Sequence, residues 1–314
     1  MKWAIIGLLL VVAPSFAADV YWYPGDTPDF SGMVAGDTFY VCGEHNDFPN
    51  NFLTVTVSDI TVSGDCVGNI GSIVGGYTVI KNADNVIVEK LALIGDKWAS
   101  MGIDLQNTEG SIIRDNMISD MAGGIRALKP DYANNITIER NTIEDSAQGL
   151  MLWAYTGQES SIKKDWQIRN NVLRNIQPRP DRQSMDYEAI GAQGAKNLTI
   201  SGNVIVNARY GINVWACDTA ILEGVDIHNN FLTDINGGPA SWPSRGIFKS
   251  CSASDGHKIV TIYDNVVHNV EGAGIRWHAT VTNPIPVTIM DNIVWDTGGI
   301  EFSGNVLLID NVEN

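Results

Sequence analysis

Ile136-Thr137-Ile138-Glu139-Arg140-Asn141-Thr142-Ile143 sets a short alternating run on each side of an Asn, and the phrase returns along most of the chain. One copy earlier it reads Ile112-Ile113-Arg114-Asp115-Asn116. Later copies are Trp166-Gln167-Ile168-Arg169-Asn170-Asn171, Leu198-Thr199-Ile200-Ser201-Gly202-Asn203, Val225-Asp226-Ile227-His228-Asn229-Asn230, Val260-Thr261-Ile262-Tyr263-Asp264-Asn265 and Val287-Thr288-Ile289-Met290-Asp291-Asn292. The final Asn recurs at intervals of 25, 30, 32, 27, 35 and 27 residues. Runs this short and this rich in Val, Ile and Thr suit strands rather than helices. A period of roughly 20–50 residues denotes stacked coils.

Stacking such coils in parallel register brings equivalent residues about 4.8 Å apart, so the Asn column can form a hydrogen-bonded ladder inside its turn. Asn also tolerates the left-handed backbone of a sharp corner. The pattern predicts an all-β chain, a single-stranded right-handed parallel β-helix of about nine or ten coils, the hand being a fold-level expectation.

Met1-Lys2-Trp3, the apolar stretch from Ala4 to Val12 and the small residues Ser15 and Ala17 predict a signal peptide over 1–17. The apolar run is shorter than the roughly 20 residues a bilayer span needs. The expectation is a secreted or periplasmic protein with no membrane partner, and a single β-helix domain over 18–314. Residues 18–80, punctuated by Gly64, Gly68, Gly71, Gly75 and Gly76, would form the N-terminal cap and first coils. Four cysteines fit an oxidising compartment, and the expected disulfides are Cys42 to Cys66 and Cys217 to Cys251, among three possible connectivities.

A net charge of −16 argues against nucleic acid as a partner. An acidic polymer would need a local cationic groove. Insertions between coils occur at 154–164, 177–186, 237–244 and 251–258, and such insertions tend to gather on one face and build a site. They bring Tyr155, Arg179, Arg182, Tyr187 and Trp242, a mixture suited to sugars.

Residues one step after an inward Ile, Leu or Phe of the Gly-Ile segments point outward. They read Asp104, Arg126, Met151, Asn213, Lys249, Arg276 and Glu301, where Lys249 is placed by setting Phe248 level with Ile275. Two places on stand Gln106, Leu128, Trp153, Trp215, Cys251 and His278. One sheet would thus show flat apolar faces, two adjacent cations and a histidine, the combination a sugar groove uses. The bland alternative is that the tryptophans cover gaps and the charges solvate the face.

Gly246-Ile247-Phe248-Lys249-Ser250-Cys251, Ile262-Tyr263-Asp264-Asn265-Val266-Val267 and Gly274-Ile275-Arg276-Trp277-His278 together resemble the catalytic segment of polysaccharide lyase family six, which holds chondroitinase B and alginate lyases. The resemblance covers about 35 residues. It implies Lys249 as base and Arg276 as acid or charge stabiliser, with His278 assisting. Beside it, the outward columns, the aromatics and the loops supply an expected substrate-binding set of Arg126, Trp153, Tyr187, Tyr210, Asn213, Trp215, Arg245, Trp277 and Glu301. The family's Arg is followed directly by His, whereas Trp277 intervenes here. Many members hold Ca²⁺ through acids just before the Lys, but Ala240-Ser241-Trp242-Pro243-Ser244-Arg245 has no carboxylate. The expectation is therefore no cofactor and no metal, calcium being the one that the resemblance would allow, with a uronate polysaccharide as partner and a monomeric chain.

β-Elimination from a 4-linked uronate removes the C5 proton, stabilises the growing charge on the carboxylate and protonates the departing O4. A Lys base must be neutral, so its pKa has to fall from about 10.4 toward the working pH. A neighbouring Arg pushes it down, the acidic surroundings push it up, and His278 or Tyr210 as phenolate is the alternative base. Two other functions stay open: an inverting glycoside hydrolase using carboxylates such as Asp104, Asp186, Glu188 or Glu301, and a non-catalytic carbohydrate-binding or adhesion solenoid.

Overall fold

The computed structural model describes residues 17–46, 52–95, 101–128, 132–153, 163–178, 187–215, 222–238, 243–250, 257–278 and 287–313. Nearly all of the expected leader, together with Asp186, Cys217 and Cys251, lies outside them.

Every regular element among the described residues is a strand. Three long sheets of 14, 11 and 10 strands run side by side, with one two-stranded hairpin at Asp65–Cys66 and Asn69–Ile70. Each coil gives one strand to each sheet. Ile112–Arg114, Met117–Ser119 and Gly123–Ala127 form one such circuit. They pair in parallel, residue for residue, with Thr137–Glu139, Thr142–Glu144 and Leu150–Trp153 of the next. The expected β-helix is the fold.

Alternation explains why these strands wrap. Ile113, Ile118 and Ile125 turn inward and are fully buried, and the same places in later coils carry Ile138, Ile143 and Leu150. One continuous apolar core runs from Trp22 to Val294. It is built coil on coil, so each coil is stabilised chiefly by its two neighbours.

The Asn phrase turns the corner between the first and second sheets. Asn116, Asn141, Asn171, Asn203, Asn230, Asn265 and Asn292 each donate from Nδ2 to the Oδ1 of the next, at 2.9 to 3.0 Å, and Asn311 accepts as the last rung. The left-handed backbone, however, belongs to the residue before each ladder Asn: Asp115, Arg140, Asn170, Gly202, Asn229, Asp264, Asp291 and Asp310 all have φ between 47° and 64°. Corner and ladder are thus divided between two adjacent residues. The one large side chain in that corner series, Arg140, is held by Asp115 and Glu139.

A glycine stack marks the third sheet. A β-carbon on Gly124, Gly211 or Gly246 would run into the backbone carbonyl of Gly149, Gly246 or Gly274 in the next coil. At the N-terminal end the Cys42–Cys66 disulfide forms as expected. Among the described residues no helix is long and apolar enough to cross a membrane.

Candidate functional site on the third sheet

The third sheet orders its strands from Phe52–Val55 at one end to Ile300–Ser303 at the other. Its register sets one outward column: Asp104, Arg126, Met151, Gly191, Asn213, Phe248, Arg276 and Glu301. Six of these are the residues expected there. Lys249 is not. Ile247 pairs with Ile275 and Phe248 with Arg276, so the Gly-Ile pairs align directly and the assumed level of Phe248 with Ile275 is one residue out.

That single step changes what Lys249 can do. It follows Val214 in the inward column and is 4% exposed, and its Nζ donates to the His278 carbonyl oxygen at 3.0 Å. Lys249 and Arg276 do not stand side by side on the open face. The same step puts Ser250, rather than Cys251, level with Trp215. Trp277 is also corrected. It is fully buried in the core and offers no face to a sugar.

The open chemistry gathers on the two strands Ile275–His278 and Ile300–Ser303. Arg276 Nε donates to His278 Nε2 at 2.8 Å and lies 3.4 Å from Glu301 Oε2. Because Nε2 accepts, the His278 proton sits on Nδ1, which faces Ser303 Oγ at 2.6 Å. Burial, then the Arg276 cation, hold His278 below the usual imidazole range. Arg245 and Lys249 push the same way and Glu301 opposes them. Ser303 is not the nucleophile of a Ser-His-Asp arrangement, since the far side of the imidazole meets a cation where an imidazolium would need an anion.

Arg245 adds a second guanidinium. It is 3% exposed, lies 5.6 Å over the Phe248 ring, and is held below its ordinary value by burial and then by Arg276. Tyr210 is buried with its ring 5.6 Å from Phe248. Asn213, also buried, donates to Glu188 Oε1 at 2.9 Å, which turns its own carbonyl oxygen away from that carboxylate. Phe248 escaped the sequence reading because Lys249 had its place, and aligning Gly246-Ile247 with Gly274-Ile275 would have found it. Ser303 carried no signal beyond its place two residues after Glu301.

The other expected residues are spread along the sheet. Arg126 pairs with Asp104 at 2.8 Å, five strands from Arg276, or about 24 Å at the strand spacing. Trp153 is half-buried, and Tyr187 and Trp215 are buried. Gly191 explains Trp215: a β-carbon there would meet both its indole and the Met151 sulfur. Trp215 is packed down onto the strand and does not stand out from it. Among the described residues no three His, Cys, Asp or Glu side chains converge as metal ligands.

The sequence pattern described as "Right handed beta helix region" matches residues 48–232 and again 164–312. Among curated proteins no sequence match is found. Three solved structures with similar folds are an alginate lyase from Paenibacillus sp. str. FPU-7, a polygalacturonase from Erwinia carotovora ssp. carotovora and the surface adhesin PfbA of Streptococcus pneumoniae. The alginate lyase is 12% identical, with 95% of this chain and 99% of that one covered and a TM-score of 0.53. The polygalacturonase is 12% identical over 88% and 84%, with a TM-score of 0.57. The adhesin is 13% identical over 88% and 89%, with a TM-score of 0.54. At these identities the likeness is one of fold.

Proposed function

Since the chain belongs to the right-handed β-helix family, whose fold lyases, glycoside hydrolases and adhesins share, we propose that it is a secreted polysaccharide lyase cleaving a uronate polymer by β-elimination. The observation that carries this reading is the 2.8 Å contact from Arg276 Nε to His278 Nε2. It pairs a carboxylate-binding group with a neutral base on an open strand. Export is supported by the Cys42–Cys66 disulfide.

In this reading the substrate carboxylate takes over the Arg276 guanidinium from His278 and Glu301, with Arg245 adding positive charge behind it. Losing its donor frees the Nε2 lone pair of His278. The imidazole then removes the C5 proton, the C4–C5 double bond forms, and the C4–O4 bond breaks with its electrons on O4. The imidazolium returns its proton to that oxygen. Lys249, buried and bonded to the His278 carbonyl, positions this strand and is not the base.

The hydrolase reading asks for two carboxylates roughly 6.5–9.5 Å apart. Among the described residues the carboxylates on this sheet are Asp104, Glu188 and Glu301, separated by three and four strands, or about 14 and 19 Å. That spacing favours elimination. An adhesion solenoid would bind without turnover.

The test is to incubate purified protein with a panel of uronate polysaccharides, with and without chelator, and follow the ultraviolet absorbance of the unsaturated product. Arg276→Ala and His278→Ala should each abolish it while thermal unfolding stays nearly unchanged. Full activity in either variant rejects the assignment.

A further inference from the structure

The opposite end of the molecule carries an aromatic surface that the Arg276 site does not use. Tyr21 and Tyr40 pair across the first two strands of the first sheet, with ring centroids 5.0 Å apart and planes 13° from parallel. Tyr23 follows on the same side, 6.5 Å from Tyr21 and 18° from parallel. Tyr21 and Tyr23 are 42% and 52% exposed. The three rings form a stepped platform about 40 Å along the axis from Arg276, nine strands away at the strand spacing.

Edge protection alone accounts poorly for these residues. Asp19–Trp22 is the outermost strand of its sheet among the described residues, and exposed edges are ordinarily blunted by charge, proline or a bulge. Two large exposed aromatics do the reverse. The platform also has a polar border on its own face, where Asp19, Thr38 and Thr61 stand level in the adjoining outward column. Near-parallel rings bordered by hydroxyls and one carboxylate match the faces and edges of a pyranose, whose C–H surface stacks while its hydroxyls seek donors and acceptors.

Charge chooses among glycans. Among the described residues of that border column the one ionised group is the Asp19 carboxylate, and the chain as a whole carries −16, so a polyuronate is repelled where a neutral glycan is not. We infer that Tyr21, Tyr23 and Tyr40 form a binding surface for a neutral pyranose polymer, separate from the Arg276 site and independent of its chemistry. It would hold the protein on a composite wall or matrix while the third sheet faces acidic chains.

The experiment is depletion of the full chain from solution by insoluble neutral glycans (microcrystalline cellulose, chitin and insoluble xylan), with polygalacturonate coupled to agarose beads at neutral pH as the charged control. Wild type should be retained on at least one neutral glycan. Tyr21→Ala and Tyr23→Ala should each weaken retention roughly tenfold, the worth of one good aromatic contact. Tyr23→Phe should keep most of it, and Arg276→Ala should bind as wild type does, which separates this surface from the elimination site. Tyr23 lies outside the strand, so its substitution reads binding even where Tyr21→Ala unfolds the edge. Retention on no neutral glycan, retention on the acidic one alone, or a Tyr23→Ala protein that binds like wild type would each overturn the inference.

Discussion

The Lys249 ammonium donates a 3.0 Å hydrogen bond to the His278 carbonyl, tying the buried side of one strand to the end of the next. A lysine so placed orients a histidine. Replacing it with Met should leave that carbonyl without its donor and cost about 1–3 kcal/mol, read as a lower thermal midpoint. Activity should fall in part, and Lys249→Arg should restore some of it. A Lys249→Met protein of wild-type stability but without any turnover would return the base to Lys249.

The acid limb of activity should reflect a histidine titrating below its usual range. His278 is held down by burial and by Arg276, so it remains neutral and able to accept a proton to lower pH than a free imidazole. Activity should be lost only as pH falls through that depressed value. In Arg276→Gln the opposing cation is gone, the value rises, and the protonation of His278 followed by NMR should move to higher pH. A shift in the other direction contradicts the assignment.

His45 makes the N-terminal end sensitive to acid. It is 4% exposed, its ring lies 3.5 Å centroid to centroid from that of Trp22, and burial lowers its pKa against the upward pull of Asp26 and nearby backbone. The folded value lies below the unfolded one, so the stability contribution is complete above pH 6.5 or so and declines as pH drops toward the folded value. His45→Phe should flatten the dependence of the thermal midpoint between pH 7 and pH 5. An unchanged slope would exclude His45 as its source.

Removing one rung from the middle of the ladder should cost more than removing the last. In Asn203→Ala the bonds to Asn230 Oδ1 and the Ile168 carbonyl disappear, and Asn171 loses the acceptor for both its backbone and its side-chain N–H. At about 1 kcal/mol for each net bond, the loss should reach roughly 2–4 kcal/mol in denaturant unfolding. Asn311→Ala removes bonds at one side only and should cost about half as much. Equal losses would mean the ladder contributes nothing beyond its local turn.

The solenoid was legible because its signals repeat. Seven copies of the Asn phrase reinforce one another, and Cys42 and Cys66 lie close enough in the first coils to be paired. The site was legible in part. Outward positions followed from alternation, so Arg276 and Glu301 were found, but alternation carries no memory of register. A one-residue slip moves a side chain from solvent to core, and Lys249 is the residue that slipped. Trp277 and Trp215 show a second limit: nothing in composition distinguishes a tryptophan that stacks on a ligand from one that fills the interior or lies flat over Gly191. The contact between Arg276 and His278 depends on rotamers, which no spacing rule reaches.

The glycine stack has a consequence for what can be recognised. Where one coil's backbone rests directly on the next with no room for a methyl group, the pitch is a ruler cut into the main chain. Asn213, Phe248 and Arg276 are kept one graduation apart whatever their side chains do. A polymer lying along the axis must then match an invariant step, and it is the ligand, not the protein, that has to stretch or bend to fit.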